Sequence, residues 1–288
     1  MNNQEIKAQI DQILIAFYQE DESLLSESIC YSIQAGGKRF RPILLVKILE
    51  GLNFKITTDV LKVGAALEMI HTSSLIHDDL PAMDNDDYRR GMLTNHKKFG
   101  EANAILAGDA LLLDPYQLLS TVDFKADIVV KLISALAKAS GFRGMVGGQS
   151  IDINSENQTI SYELLKELHA KKTGAMIVFP FIAAGIIAGV PEKTANQLQE
   201  LGERIGLAFQ IRDDIIDVTE SFETLGKTPQ KDIAENKATY VSLFGLEKAK
   251  QLLSEQLEHS ELLLGEIVDF NANKIEPIIS QLKIKDET

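Results

Sequence analysis

An all-α fold is what this sequence predicts, and three observations carry the prediction. Apolar residues recur at spacings of three and four nearly everywhere, no stretch alternates over a strand length, and the breakers are sparse, with 19 Gly and 7 Pro in 288 residues. No Ser/Gly/Pro-rich linker interrupts the chain and no period of 20 to 50 residues repeats, so a single domain over 1–288 is expected, not a solenoid.

Taken in order, the periodicity places helices over 3–19, 22–35, 42–52, 58–79, 100–121, 125–151, 161–190, 192–221, 236–265 and 272–284. Pro42 suits a first helical turn, where its missing N–H costs nothing. Asp114 and Pro115 interrupt an otherwise apolar helix, and nothing local explains them. The segments 81–98 and 222–235 are polar and aperiodic and read as loops. Residues 173–191 hold no charged side chain, which is long enough for a membrane span by composition. Pro180, Gly185, Gly189 and the lack of a second span favour the centre of a large bundle instead, and Gly174 invites a kink.

Composition narrows the function. The chain carries 29 Lys+Arg against 42 Asp+Glu, a net charge of −13, and 45% of its residues are hydrophobic. Nucleic acid and anionic membranes are poor partners for such a protein, because both attract a basic excess. Cys30 is the one cysteine and the amino terminus lacks the basic-then-apolar order of a signal peptide, so a reducing, cytoplasmic setting is expected.

Two acidic clusters stand out. The first, HDDLPAMDNDDYRRG at 77–91, contains Asp78, Asp79, Asp84, Asp86 and Asp87, which repel one another unless solvent or a divalent cation compensates them. An EF-hand fails on register: counted from Asp84, the sixth position is Arg89 where Gly is needed and the twelfth is Asn95 where Glu is needed. Pro81 withholds an N–H from the end of the preceding helix, a distortion able to bring Asp84 round to the side of Asp78. The second cluster, FQIRDDIIDV at 209–218, puts Asp213 and Asp217 one turn apart with Gln210 a turn earlier, and Ile211, Ile215 and Val218 on the other side. Facing clusters of this kind suit Mg²⁺, which takes a few carboxylates plus substrate phosphate oxygens. A phosphorylated substrate follows.

The cations have matching places. GGKRFRP at 36–42 puts Lys38, Arg39 and Arg41 in a glycine-led turn where the backbone can approach a ligand and Arg can bind phosphate through two parallel donors. Arg89 and Arg90 follow the first acidic cluster directly, and either span a bound diphosphate or neutralise the acids. His71, seven residues before Asp78, shares a helical face with Ser74 and Asp78, whereas His77 has the weaker case. Lys172 and Thr173 open the uncharged helix.

Taken together, GGKRFRP, DDLPAMD with RRG, GGQSID, KTG, FQIRDDIID and LGK, in this order over residues 30 to 240, resemble the trans-isoprenyl diphosphate synthases, above all the bacterial farnesyl and geranylgeranyl diphosphate synthases. The resemblance implies a single bundle of about ten or more helices around a deep central cavity, the isoprenoid synthase type, with the two aspartate motifs at its mouth, and a homodimer. It implies that Asp78, Asp84 and Asp213 bind about three Mg²⁺, with Asp79, Asp214 and Asp217 as hydrogen-bonded support. Arg89, Lys172 and Lys227 then hold an allylic diphosphate (dimethylallyl, geranyl or farnesyl), and Lys38, Arg41, His71 and Arg90 hold isopentenyl diphosphate. Thr173, Gln210 and the carbonyl of Lys172 sit near the allylic cation that ionisation leaves, and the departing diphosphate takes the final proton. Ser73 stands five positions before Asp78, where relatives that make C15 products carry an aromatic floor; with Ser74 beside it, this leans towards a C20 product, with Ile70 and Leu67 as the deeper stop. Gln230 replaces a residue that is small in relatives. A terpene cyclase of the same fold would not need the GGKRFRP and His71 site, and a non-catalytic regulatory subunit of a longer-chain synthase would show a decayed aspartate motif, whereas both motifs are intact.

Overall fold

A computed structural model describes residues 1–19, 21–156, 158, 160–219 and 238–284. Their regular structure is helical apart from one short hairpin, and the chain groups into two compact units: 1–46 with 56–133, and 47–55 with 134–288.

In the first unit, α1 (Asn3–Tyr18) starts on a capping box, with Asn2 and Glu5 exchanging side-chain to backbone hydrogen bonds that satisfy two of the orphan amides. Its apolar face, Ile6, Ile10 and Leu14 at intervals of four, is fully buried. At roughly 1.5–3 kcal/mol per such side chain, that face alone anchors the helix. Next come α2 (Leu24–Gln34), capped by Ser23, α3 (Phe40–Gly51) and α4 (Thr58–Asp78), capped by Thr57. Helix α4 is buried nearly all round, and Gly64 lets it approach α1 and α3 closely: a Cβ there would lie 3.1 Å from Ile10 and 3.2 Å from Pro42. Helix α6 (Glu101–Ser120) packs along α4.

The segment expected to be a plain loop at 81–98 holds more structure than that. Strands β1 (Tyr88–Arg89) and β2 (Met92–Leu93) pair antiparallel, Tyr88 opposite Leu93 and Arg89 opposite Met92, and α5 (Asn95–Phe99) follows. Arg90 at φ 54° and Gly91 at φ 78° form the two-residue tip, the left-handed pair that a tight hairpin demands. Strands this short cannot show alternation, which is why periodicity missed them. The Asp114–Pro115 break in α6 also gains an account: Tyr18 Oη donates to Asp114 Oδ2 at 2.9 Å, which ties α1 to α6 where Pro115 denies the helix a backbone bond.

Four helix assignments beyond residue 124 are corrected by the structure. The helix expected over 125–151 is two, α7 (Ala126–Ser140) and α8 (Met145–Ser155). The chain turns so tightly at Gly144 that a Cβ there would sit 2.0 Å from the Ala139 carbonyl. The stretch 161–190 is α9 (Tyr162–His169), a π-helical turn at Ala170–Gly174, and α10 (Ala175–Ala188), the irregularity falling where Gly174 invited a kink. The described part of the stretch 236–265, residues 238–265, breaks at Gly245 (φ 79°) into α12 (Tyr240–Phe244) and α13 (Leu246–Glu266), and the last expected helix opens as a 3₁₀ turn at Ala272–Lys274 before α14 (Glu276–Leu282). Between them α11 (Glu192–Thr219) packs on α10 and α13. Among the described residues, Tyr162–Ala188 is the one helical run long and apolar enough to cross a membrane. Its uncharged part is a core helix: Met176, Ile177, Phe179, Phe181, Ala183 and Ala184 are buried within this unit.

Candidate active site

Pro81 ends α4 as the sequence suggested, and the backbone then closes on itself. The amide of Asp84 donates to the carbonyl of Asp78 at 2.8 Å, with Met83 and Asn85 both donating to Leu80. This turn brings positions 78 and 84 together, although six residues of regular helix would have put them on different faces. Both side chains are partly exposed. Asp79 is buried, and Arg89 grips it through Nε at 2.8 and 2.9 Å and Nη2 at 2.5 Å. Burial pushes the Asp79 carboxyl up, with Arg89 acting against it. Asp87 pairs with Lys97 at 2.8 Å.

The basic motifs meet in the same unit. The Arg90 guanidinium donates to the Gly36 carbonyl, and Gly37, at φ 140°, lies flat against it: a Cβ at Gly37 would be 2.8 Å from Arg90 Nη2. No other residue type allows that approach. Arg39, one of the three bases placed in the phosphate-binding turn, is 2% exposed and committed to protein partners. It donates to Asp11 at 2.6 Å, Glu68 at 3.0 Å, the Ile33 carbonyl at 2.7 Å and the Gly36 carbonyl at 3.2 Å. Neither Asp11 nor Glu68 carried a signal in the sequence.

Arg41, two residues on, is different. Its Nε is buried with no hydrogen-bond partner among the described residues, and burial lowers its pKa, Glu68 opposing. Lys38 is exposed. His71 is half-buried within electrostatic reach of Arg41, Arg90, Arg89 and Arg39, and burial, then these four cations, hold its ring well below the usual histidine pKa. Arg89 in turn feels Asp78, Asp79 and Asp86. The structure thus brings Arg41, His71, Arg89 and Arg90 into one neighbourhood, with the Asp78 turn beside it. Ser73 is fully buried and donates to the Gly108 carbonyl of α6 at 2.8 Å, while Ser74 bonds within its own helix to the His71 carbonyl. His77 lies over Gly108, where a Cβ would meet its Nε2 at 2.0 Å.

In the second unit α11 presents Gln210, Asp213, Asp214 and Asp217, with Ile211 and Ile215 buried as the stripe predicted. The acids divide by environment. Asp213 is exposed; Asp214 is 6% exposed and accepts from the Tyr240 amide at 2.7 Å, which holds the start of α12; Asp217 is 2% exposed. Both Asp217 carboxylate oxygens lack a partner among the described residues, so the hydrogen-bonded support expected of it is absent there. Lys172 pairs with Asp152 of GGQSID, a contact the motif itself could have suggested. Gly148 of the same motif packs on the Lys172 backbone, 2.2 Å from the position a Cβ would take to the amide nitrogen. Thr173 sits in the π turn, a distortion common at functional sites. Lys227 and Gln230 lie outside the described residues.

His169 is buried, its Nδ1 has no partner among the described residues, and burial lowers its pKa to about 4. The folded ring binds its proton less tightly than the unfolded one, so the protein has full stability from this residue above pH ~6.5 and loses it as pH falls towards 4. Urea titrations at pH 7 and pH 4 are expected to show wild type losing about 3 kcal/mol more than His169→Gln over that interval. Parallel losses would mean that the ring takes up protons freely in the fold.

Among the described residues no three His, Cys, Asp or Glu side chains form a ready-made metal cage. Mg²⁺ takes few protein ligands, because phosphate and water complete its shell, and the turn that gathers Asp78 and Asp84 fits it. The buried Asp217 carboxylate, without a partner among the described residues, fits the same picture, because a buried anion calls for a cation.

An all-α synthase with one acid-bearing turn, one acid-bearing helix and an arginine–histidine cluster is the class these features define: a transferase of prenyl groups. The chain belongs to the polyprenyl synthetase family, whose model matches residues 22–267. It is 49% identical over 264 residues, 92% of this chain and 90% of the relative, to a farnesyl diphosphate synthase of Micrococcus luteus. A farnesyl/geranylfarnesyl diphosphate synthase of Zymomonas mobilis has a similar structure, with a TM-score of 0.85, 36% identity and 96% of both chains covered. So does a geranyltransferase of Helicobacter pylori complexed with magnesium and isoprenyl diphosphate, at TM-score 0.83, 32% identity and 98% of both chains.

Proposed function

We propose that this prenyltransferase condenses isopentenyl diphosphate with an allylic diphosphate, dimethylallyl, geranyl or farnesyl, to give a C15 or C20 product. The observation that carries the reading is the assembly of Arg41, His71, Arg89 and Arg90 beside the Asp78 turn, since binding two diphosphates needs both cations and metal-binding carboxylates. A terpene cyclase binds one diphosphate and has no use for the Arg41–His71–Arg90 group. A silent regulatory subunit has no use for two intact aspartate motifs.

The roles follow the family resemblance. Asp78, Asp84 and Asp213 would hold about three Mg²⁺, which would supply the positive charge that makes the allylic diphosphate a leaving group. Arg89, oriented by Asp79, reaches that diphosphate with Nη1, and Lys172, held by Asp152, reaches it from the π turn; Lys227 adds a third cation. Lys38, Arg41, His71 and Arg90 hold isopentenyl diphosphate, and the neutral His71 ring donates one N–H. Thr173, Gln210 and the Lys172 carbonyl turn oxygen dipoles towards the allylic cation, and apolar walls exclude the water that would quench it. The family match runs through both units, which supports a single catalytic domain. Exposed Ile105, Leu106 and Leu113 on α6 support a homodimer, a state that sedimentation equilibrium reads directly. The free Cys30 supports a reducing, cytoplasmic setting.

The test is incubation with isopentenyl diphosphate, Mg²⁺ and each of the C5, C10 and C15 allylic diphosphates, followed by product sizing. Absence of any elongation with all three starters would sink the reading. Chain length has its own expectation: Ser73→Tyr shortens the main product by at least one five-carbon unit. Because Ser73 already touches the Gly108 backbone, Ser74→Phe serves as the second variant, and a thermal melt controls for misfolding. A product distribution unchanged in both variants would place the floor elsewhere.

A further inference from the structure

One cavity lies wholly in the second unit, and no residue assigned to the reaction lines it. It is a cleft of about 1000 Å³ between the end of α7, the helical run α9 to α10, and α11. None of Lys172, Thr173, Gln210 or Asp213 lines it. Its volume is at the upper end of small-molecule sites.

The lining has two parts. Ala175, Val178, Ile182 and Leu207 give an aliphatic floor, and Lys138, Arg143, Lys166, Lys171 and Arg204 give a cationic rim. Two of these cations are already matched, Arg204 to Glu200 at 2.7 Å and Lys171 to Glu167 at 2.6 Å, and the other acid of the cleft, Glu203, accepts from Gln199 at 2.9 Å. Lys138, Arg143 and Lys166 make no ion pair among the described residues. Three unmatched cations above an apolar floor are unusual in a chain of net charge −13. His169 lines the same cleft, 8% exposed, with Nδ1 unpartnered among the described residues, a buried polar atom that a ligand would satisfy.

The geometry points to a binding site for a small amphiphilic organophosphate, with the aliphatic tail on Val178, Ile182 and Leu207 and the anionic head between Lys138, Arg143 and Lys166. Solvent-exposed bases alone would bind phosphate weakly and without preference for a tail. An aliphatic floor alone would take an alcohol as readily as its phosphate ester. The two parts together select the molecule that carries both.

Calorimetric titration of the full chain in Mg²⁺-free buffer with decyl phosphate, inorganic phosphate and decanol tests this. Decyl phosphate is expected to bind at least tenfold more tightly than either fragment. Lys138→Glu/Arg143→Glu and, separately, Val178→Trp each weaken it at least tenfold while turnover stays at the wild-type level, which also shows that the variants fold. Arg41→Ala, at the reaction centre, leaves it unchanged. Affinity unaffected by the first two variants, affinity lost in Arg41→Ala, or a fragment binding as well as the whole would each overturn the proposal.

Discussion

Asp78→Ala and Asp213→Ala are each expected to lower Mg²⁺-dependent turnover by about 10³-fold or more, with circular dichroism and the melting midpoint near wild type. The size follows from removing one anionic ligand from a cation that stabilises several kcal/mol of developing charge, each ~1.4 kcal/mol being a factor of ten. The fold survives for reasons specific to each position. Asp213 is exposed on α11, and at Asp78 the turn is closed by the backbone carbonyl, which alanine retains. Activity within tenfold of wild type in either variant would remove that residue from the metal site. A collapse of helicity alongside the lost turnover would instead assign it to the fold. Asp79→Ala is the informative contrast, because it frees Arg89 from its bidentate partner and should act on diphosphate binding more than on Mg²⁺ dependence.

Arg39→Ala is expected to destabilise the protein by about 3–5 kcal/mol, the range for breaking a buried ion pair from one side. Glu68, buried in the protein, would lose its ion pair and keep only the charges of Arg41 and Arg90, and the carbonyls of Ile33 and Gly36 would each lose a donor. Because Arg90 also donates to Gly36, slackening this turn should raise the Michaelis constant for isopentenyl diphosphate as well. Denaturant midpoints measure the first effect and steady-state kinetics the second. Adding Glu68→Gln to the variant should recover part of the lost stability, since a neutral amide costs less to bury than a carboxylate. A loss under about 1 kcal/mol, unmoved by the second change, would show that water already serves Glu68.

These two predictions rest on different kinds of knowledge. Asp78 and Asp213 are legible in the sequence, because an acidic run at helical spacing is a local pattern and Pro81 marks the distortion that gathers Asp78 and Asp84. Arg39 is not. It stands in the same short turn as Lys38 and Arg41, with the same charge and the same glycines before it, and Asp11 and Glu68, which lie far from it in the chain, make it a structural residue while Arg41 Nε has no partner among the described residues. The hairpin at Tyr88–Leu93 was hidden for a related reason: two residues per strand are too few to show a period, although Arg90–Gly91 is a turn pair that could have been read.

By itself the sequence determined the all-α class, the order of the motifs and the residues proposed to carry metal and diphosphate chemistry, since helical periodicity and motif spacing depend on neighbours within a few positions. The tertiary structure alone decided which of several like-charged side chains are matched. It buried Asp214 against the Tyr240 amide, left Asp217 buried without a partner among the described residues and set Asp213 in solvent, three acids within five positions of one helix. It likewise gave Lys172 to Asp152 and left Lys138, Arg143 and Lys166 without ion pairs among the described residues around an apolar cleft. The physical reason is that the free energy of a charge depends on its burial and on the partners that packing brings to it, and neither is encoded next to it in the chain.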